Sequence, residues 1–216
     1  MFATLLPHVH AAVIADDVVL LDVRSDNYFC LPGAAEDLAR PVVDDGEDGL
    51  AALLVAQGLA QWSPCPMEPP AAAPASMPRT DVLDQPCSGP SLRDAMALIG
   101  AYLDTMLHYR AREFAHLTAY VRRGRVGAAE AAGDDAELRR LCAVFAQLVP
   151  WVPISGKCLE RSFLLLRFLQ RRGRDARWVF GVTTWPFAAH CWLQVDEVAL
   201  DDAAERLVRF TPIMVA

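Results

Sequence analysis

The sequence predicts an α+β protein in which a small strand-rich N-terminal module is joined by a proline-rich connection to a larger domain of helices followed by an antiparallel sheet. Three observations predict it. Short β-rich runs punctuated by Asp, Asn and Ser fill residues 8–31. Eight of the fifteen prolines fall between Pro64 and Pro90. Helical periodicity from Leu92 to Arg172 then gives way, after Gly173, to strand-like runs.

Within the N-terminal module, residues 1–62, strands are expected at Val9–Ile14, Val18–Val23 and Tyr28–Leu31. Asp16-Asp17 and Ser25-Asp26-Asn27 turn the chain between them. Helical patterns follow at Ala34–Arg40 and Gly49–Ala60, the second with apolar residues at 50, 53, 54, 55 and 59 and a weak end at Gly58. Some sixty residues make a small unit for an independent core. Residues 63–90 are too rich in proline for regular structure and read as a tether of partly extended polyproline character.

In the larger domain, residues 91–216, Ser91 is a good N-cap for Leu92–Tyr109, whose Met96, Ile99, Leu103, Met106 and Leu107 recur at helical spacing. Arg112–Arg123 continues with Phe114, Leu117, Tyr120 and Val121. After GRVGAAEAAGDD comes Ala136–Leu148, stopped by Pro150 and Pro153. The next helix, Leu159–Arg172, carries apolar residues on more than one stripe and is expected to be buried on most sides. Strands are expected at Ala176–Val182, Ala189–Val195 and Val198–Asp202.

Cys158 stands where that buried helix begins. Unpaired N–H groups at a helix N-terminus favour negative charge, which lowers a thiol's pKa. A lone Cys at an apolar helix is more often a small buried hydrophobe, but His190 and Asp202 follow in a useful order. A three-residue loop, Val195-Asp196-Glu197, pairs His190 with Asp202; a two-residue turn at Asp196-Glu197 puts Cys191 opposite Asp202 instead. The first completes a Cys/His/Asp set in which His190 deprotonates Cys158 and Asp202 orients the ring, the chemistry of acyl transfer to water or to an amine. Asp201, adjacent and chemically equivalent, is the alternative third member.

The runs CLERSFLLLRFLQRRGRDARWVFGV, PFAAHCWLQVD and ALDD resemble the B proteins of lasso-peptide biosynthesis, transglutaminase-like, papain-like cysteine peptidases that remove the leader from a ribosomal precursor peptide. The resemblance implies that Cys158, His190 and Asp202 are catalytic. HAAVIADDVVLLDVRSDNYFCL is similar to the strand region of RiPP recognition elements, winged-helix-like modules that bind the leader along the third strand and beside the last helix. Carried over, Asn27, Tyr28, Phe29, Cys30 and Leu31 form the edge strand, with Tyr28, Leu50, Leu53 and Leu54 as groove walls. The same residues would equally serve as the module's own core. The implied partners are the precursor's leader and an asparagine-synthetase-like cyclase, with ATP required through the cyclase. No cofactor is expected on this chain, which has no GxxxxGK[ST] loop.

Composition narrows the classes further. An apolar content of 54% and mean hydropathy of +0.21 indicate a substantial core. A net charge of −7 and a pI near 5.2 argue against nucleic acid as a partner. The cluster Arg167, Arg171, Arg172, Arg174 and Arg177 reads as a solvated helix end. Six cysteines without CxxC spacing suggest neither a metal site nor a disulfide framework, and hence a reducing cytoplasm. No apolar run reaches the ~18 residues of a membrane span, and the N-terminus lacks the basic start of a signal peptide. His108 and His116 read as structural; of Trp151, Trp178, Trp185 and Trp192, at least two are expected in the core. Two other functions fit: an amidase or transglutaminase with a different substrate, and a non-catalytic peptide-binding scaffold.

Overall fold

Four apolar residues in a row, Val18 to Leu21, decide how the N-terminal third is built, because all four are completely buried. They lie in β3 (Asp17–Asp22), the middle strand of an antiparallel meander with β2 (Val9–Ile14) and β4 (Asn27–Leu31). A strand apolar on both faces must be covered on both. One face, with Val18 and Leu20, packs on Val9, Leu54 and Ala60. These partners come from β2, from α2 (Leu50–Ala56), and from β5 (Ala60–Ser63), which pairs with β1 (Phe2–Leu5); α1 (Ala35–Ala39) follows the meander. The other face, with Val19 and Leu21, joins Ala12 and Val23 to the core of the larger domain. The described residues, in this computed structural model, are 2–39, 49–64, 76–83, 89–109, 113–124 and 136–216.

Part of the expected tether, 65–75 and 84–88, lies outside the described residues. Within it, however, β6 (Thr80–Asp81) pairs in parallel with β9 (Val198–Ala199) at the edge of the main sheet. Gln194 Nε2 donates to Ser76 O at 2.8 Å. An edge position tolerates prolines nearby, since only one side of the strand needs its N–H groups.

In the larger domain, α3 (Leu92–Asp104) starts from a capping box between Ser91 and Asp94 and passes into a π-helical turn, Thr105–Tyr109, where one long helix was expected. Next come α4 (Phe114–Arg123), α5 (Ala136–Leu148) and α6 (Cys158–Arg171). α6 is the central helix: Phe163, Leu164, Leu165, Leu166, Phe168 and Leu169 are all buried, as its apolar breadth predicted. It ends at Gly173, φ 74°, with Arg174 N–H on Leu169 O and Gly173 N–H on Gln170 O, the paired bonds of a left-handed helix stop. Its arginines are not the solvated end expected. Asp104 receives Arg167 and Arg171 at 3.0 Å each, while Arg172 pairs with the fully buried Asp94 at 3.2 Å. Burial works against the Asp94 charge, but bonds from Arg140 and Ser91 outweigh it and hold the carboxyl below its usual range.

The sheet that carries the site runs β10-β7-β8-β9-β6. Its members are β7 (Arg177–Thr183), β8 (Ala188–Val195), β9, β6 and β10 (Thr211–Val215), with α7 (Ala204–Leu207) before the last strand. Sequence periodicity missed β10 because Pro212 interrupts it; the structure accommodates that residue at a register shift on the edge strand. Gly181, opposite His190 in the ladder, has no room for a side chain: a Cβ there would lie 2.7 Å from the Trp192 ring and 3.0 Å from Phe210 Cβ. Gly181→Ala is therefore expected to cost about 1–3 kcal/mol, read as a lowered thermal midpoint.

Candidate active site

Cys158 is the first residue of α6, preceded by Gly156 in the left-handed region (φ 76°) and by Lys157 in extended conformation. The loop before it is held by the buried Glu160, whose Oε2 accepts the Ser155 N–H at 2.6 Å and the Ser155 hydroxyl. The sulfur thus sits at a rigid helix N-terminus, where the unpaired first-turn N–H groups and the macrodipole favour an anion.

His190 comes from the start of β8. Its ring packs 5.3 Å from Phe210 and 6.3 Å from Trp192, centroid to centroid. Its Nε2 lies 2.7 Å from Asp202 Oδ2, which leaves Nδ1 for the thiol. Asp202 Oδ1 is fixed in turn by Ala203 N–H at 2.8 Å and Arg206 Nη1 at 3.1 Å.

The structure reaches this pairing by a different register from the one expected. Gln194 pairs with Ala199 and Val195 with Val198, so the turn is the two-residue Asp196-Glu197. Asp196 takes φ 50°, a conformation Asp tolerates, whereas a three-residue loop would have demanded it of Glu197. Cys191 is nevertheless not brought opposite Asp202, because the ladder ends at Ala199 and the chain bends. Leu200 N–H still bonds Leu193 O at 2.9 Å, Asp201 Oδ1 accepts Leu193 N–H at 2.8 Å, and Asp202 then swings back to the imidazole. Asp201 is occupied on the backbone, its carboxyl pushed up to about 7 by burial.

The electrostatics follow from these contacts. Hydrogen bonds from the Cys191 thiol and then from His190 outweigh burial and pull the Cys158 thiol down to about 4. His190 is raised, first by its bond to Cys158 against the opposing effect of burial, and also by Asp202. Thiolate and imidazolium sustain each other. Among the described residues, no group of three or more metal-ligating side chains converges here or elsewhere.

The expected leader-binding residues are not gathered as the resemblance implied. Asn27–Leu31 is the edge strand β4, and no strand pairs with its outer side among the described residues. Side chains alternate along it, so Phe29 and Leu31 share a face with Val18 and Leu20, the face covered by α2, while Tyr28 and Cys30 face the larger domain. Leu54 is buried in the module's own core, Leu50 is partly buried against it, and Leu53 is exposed. Tyr28 therefore cannot wall a groove together with those leucines. It packs against Phe187 at 5.8 Å, in the loop leading to His190, and its phenol is raised first by burial and also by the charges of Asp26 and Cys158. Trp185 in the same loop donates to Asp17 Oδ2 at 2.7 Å. Tyr109 likewise feels Glu160 and Cys158, with burial the larger cause of its raised pKa. Sequence reading missed Tyr109 and Cys191 as neighbours of Cys158. The alternation of β8 was the available signal for Cys191, since it turns that side chain toward α6. Trp178 and Trp192 are fully buried, while Trp151 and Trp185 are exposed.

A family model, the Transglutaminase-like superfamily, matches residues 100–215, the stretch that contains all three residues of the site. The chain belongs to that superfamily. Members of the transglutaminase-like superfamily are typically cysteine peptidases or acyltransferases, in keeping with a thiol, an imidazole and a carboxylate in sequence here. A curated relative, the Microcin J25-processing protein McjB of Escherichia coli, is 44% identical over 46 residues. That match spans 21% of this chain and 22% of the relative, so about a fifth of each. No solved structure matches.

Proposed function

We propose that this transglutaminase-like protein is a cysteine peptidase that removes the leader from a lasso-peptide precursor. The observation that carries the reading is the line Cys158–His190–Asp202, with Nε2 of the ring 2.7 Å from the carboxylate and the sulfur held as an anion beside the same ring. The partial likeness to McjB, a microcin-processing protein by name, supports the choice of substrate.

In this mechanism the Cys158 thiolate attacks the carbonyl carbon at the end of the leader. The Cys158 backbone N–H, unpaired as the first of its helix, stabilises the oxyanion. Protonated His190 gives its Nδ1 proton to the departing amine of the core peptide, leaving a thioester on Cys158. His190, now neutral, takes a proton from water, which attacks the thioester and frees the leader as a carboxylate. Asp202 keeps the ring in one orientation throughout and balances its charge. The N-terminal module holds the leader at the outer side of β4, and the released core peptide, with its new amino terminus, passes to an ATP-using cyclase partner in a reducing cytoplasm. The test is to mix the full chain with a candidate precursor and weigh the products. Leader and core masses that sum to precursor plus one water support the peptidase. An intact precursor, or a product joined to an added amine, goes against it.

A further inference from the structure

Helix α3 is amphipathic with its acidic side turned inward. Asp94 and Asp104 are buried beside Leu98 and Ala101, where Arg140 and Arg172 hold the first carboxylate and Arg167 and Arg171 the second. The apolar residues that recur at helical spacing in the sequence lie on the outside instead. Leu92, Met96, Ile99 and Leu103, continued by Leu107 on the π-helical turn, are between 54% and 80% exposed. Single exposed leucines are ordinary, but an unbroken row of this length marks a contact surface. The steps along the row are four, three, four and four residues. That is the narrow seam of one helix packing along another rather than the broad face that meets a core.

The row is nearly symmetric end to end. Counted from the midpoint between Ile99 and Gly100, Leu92 answers Leu107 and Met96 answers Leu103. A second α3 laid antiparallel therefore offers the same spacing in reverse. Leu92 then meets the other copy's Leu107, Met96 meets its Leu103, and the two Ile99 side chains flank the axis, the self-matching contact that a two-fold dimer requires. The area is sufficient. The exposed parts of the row amount to roughly 500 Å² per copy, near the upper limit for an apolar patch on a monomer. Two such faces with their polar borders reach the ~1,200 Å² of a specific interface. No member of the row is charged, and both carboxylates of α3 are already paired on its inner face, so closing the seam strands no lone charge. Arg93 and Arg171 border the row and keep their guanidinium groups toward water.

We propose that this protein pairs with a second copy of itself through an antiparallel seam between two α3 helices, centred on Ile99. The seam does not depend on the peptidase reading. It gives α3 a second task, since through Asp104 the same helix anchors α6, which carries Cys158.

Sedimentation velocity of the full chain, from low micromolar to near-millimolar protein, is expected to show a mass rising toward twice the 23.7 kDa of one chain. Ile99→Glu sets two like charges about the axis, and Leu103→Glu sets a charge against each Met96. Either is expected to weaken the dimer by about 100-fold or more while leaving the thermal midpoint of the fold in place. Ile99→Ser, expected to weaken it by about tenfold, serves if the glutamate variants do not fold. Leu92→Cys mixed with Leu107→Cys and treated with a short bis-maleimide should give cross-links between copies joining position 92 to position 107, located by peptide mass. A chain that stays monomeric over the whole range overturns the proposal and leaves the row to a helix of another protein. A dimer that survives the substitutions at 99 and 103, or cross-links joining position 92 to itself, also overturn it.

Discussion

Cys158→Ala is expected to lower precursor cleavage by about 10⁵-fold or more, to background, because the reaction then has no nucleophile and the remaining groups only bind and polarise the substrate. Leader binding, measured by fluorescence anisotropy of a labelled leader peptide, should stay within about threefold of the parent, since the proposed docking edge on β4 makes no use of the sulfur. Cys158 is half-buried at the helix start, so the small volume lost should leave the thermal midpoint nearly unchanged. Undiminished cleavage by this variant would leave only a peptide carrier.

Asp202→Asn is expected to reduce cleavage by about 10⁴-fold, in the range found when the orienting acid of such a triad is made neutral. The amide can keep a hydrogen bond to Nε2 but cannot balance an imidazolium, so the charged pair with Cys158 is weakened at its His end. The pH profile carries the sign. Cys158 lies near 4 and His190 is raised above its ordinary value, so cleavage in the parent should rise through the region of pH 4 as the thiolate forms. It should fall only once the imidazolium deprotonates, above the usual His range. Removing the carboxylate moves that alkaline fall to lower pH. Asp201→Asn is the control. Its side chain accepts the Leu193 N–H at 2.8 Å, while the imidazole is bonded by Asp202, so activity within about tenfold of the parent is expected. If the two substitutions exchanged their effects, the assignment of the acid would be reversed.

Much of this site could be read before any coordinates, because two of its determinants are local. An apolar run without a polar stripe can only be a buried helix, and Cys158 is simply where that run starts. His190 is named by its place at the head of a strand. The third determinant was not local. Which Asp meets the imidazole depended on where a ladder stops, and a left-handed Asp196 followed by a bend at Leu200 produced the same pair through a register that seemed to forbid it. Other misses share that cause. β1 and β5 find each other across more than fifty residues, Thr80–Asp81 becomes a strand only because β9 offers it an edge, and the arginines of α6 look solvated until Asp94 and Asp104 arrive from α3. Tyr28 was placed on the right strand and the wrong face, since an alternation pattern does not say which of two apolar faces a distant domain will cover.

The burial of Val19 and Leu21 among the side chains of the larger domain has a practical consequence for anyone dividing the chain at its prolines. Neither piece would carry a complete oily interior of its own, and each would leave the cut with a wet apolar scar where the other had been. The small module and the larger domain are thus halves of one solid body, and a severed half would sooner clump than fold.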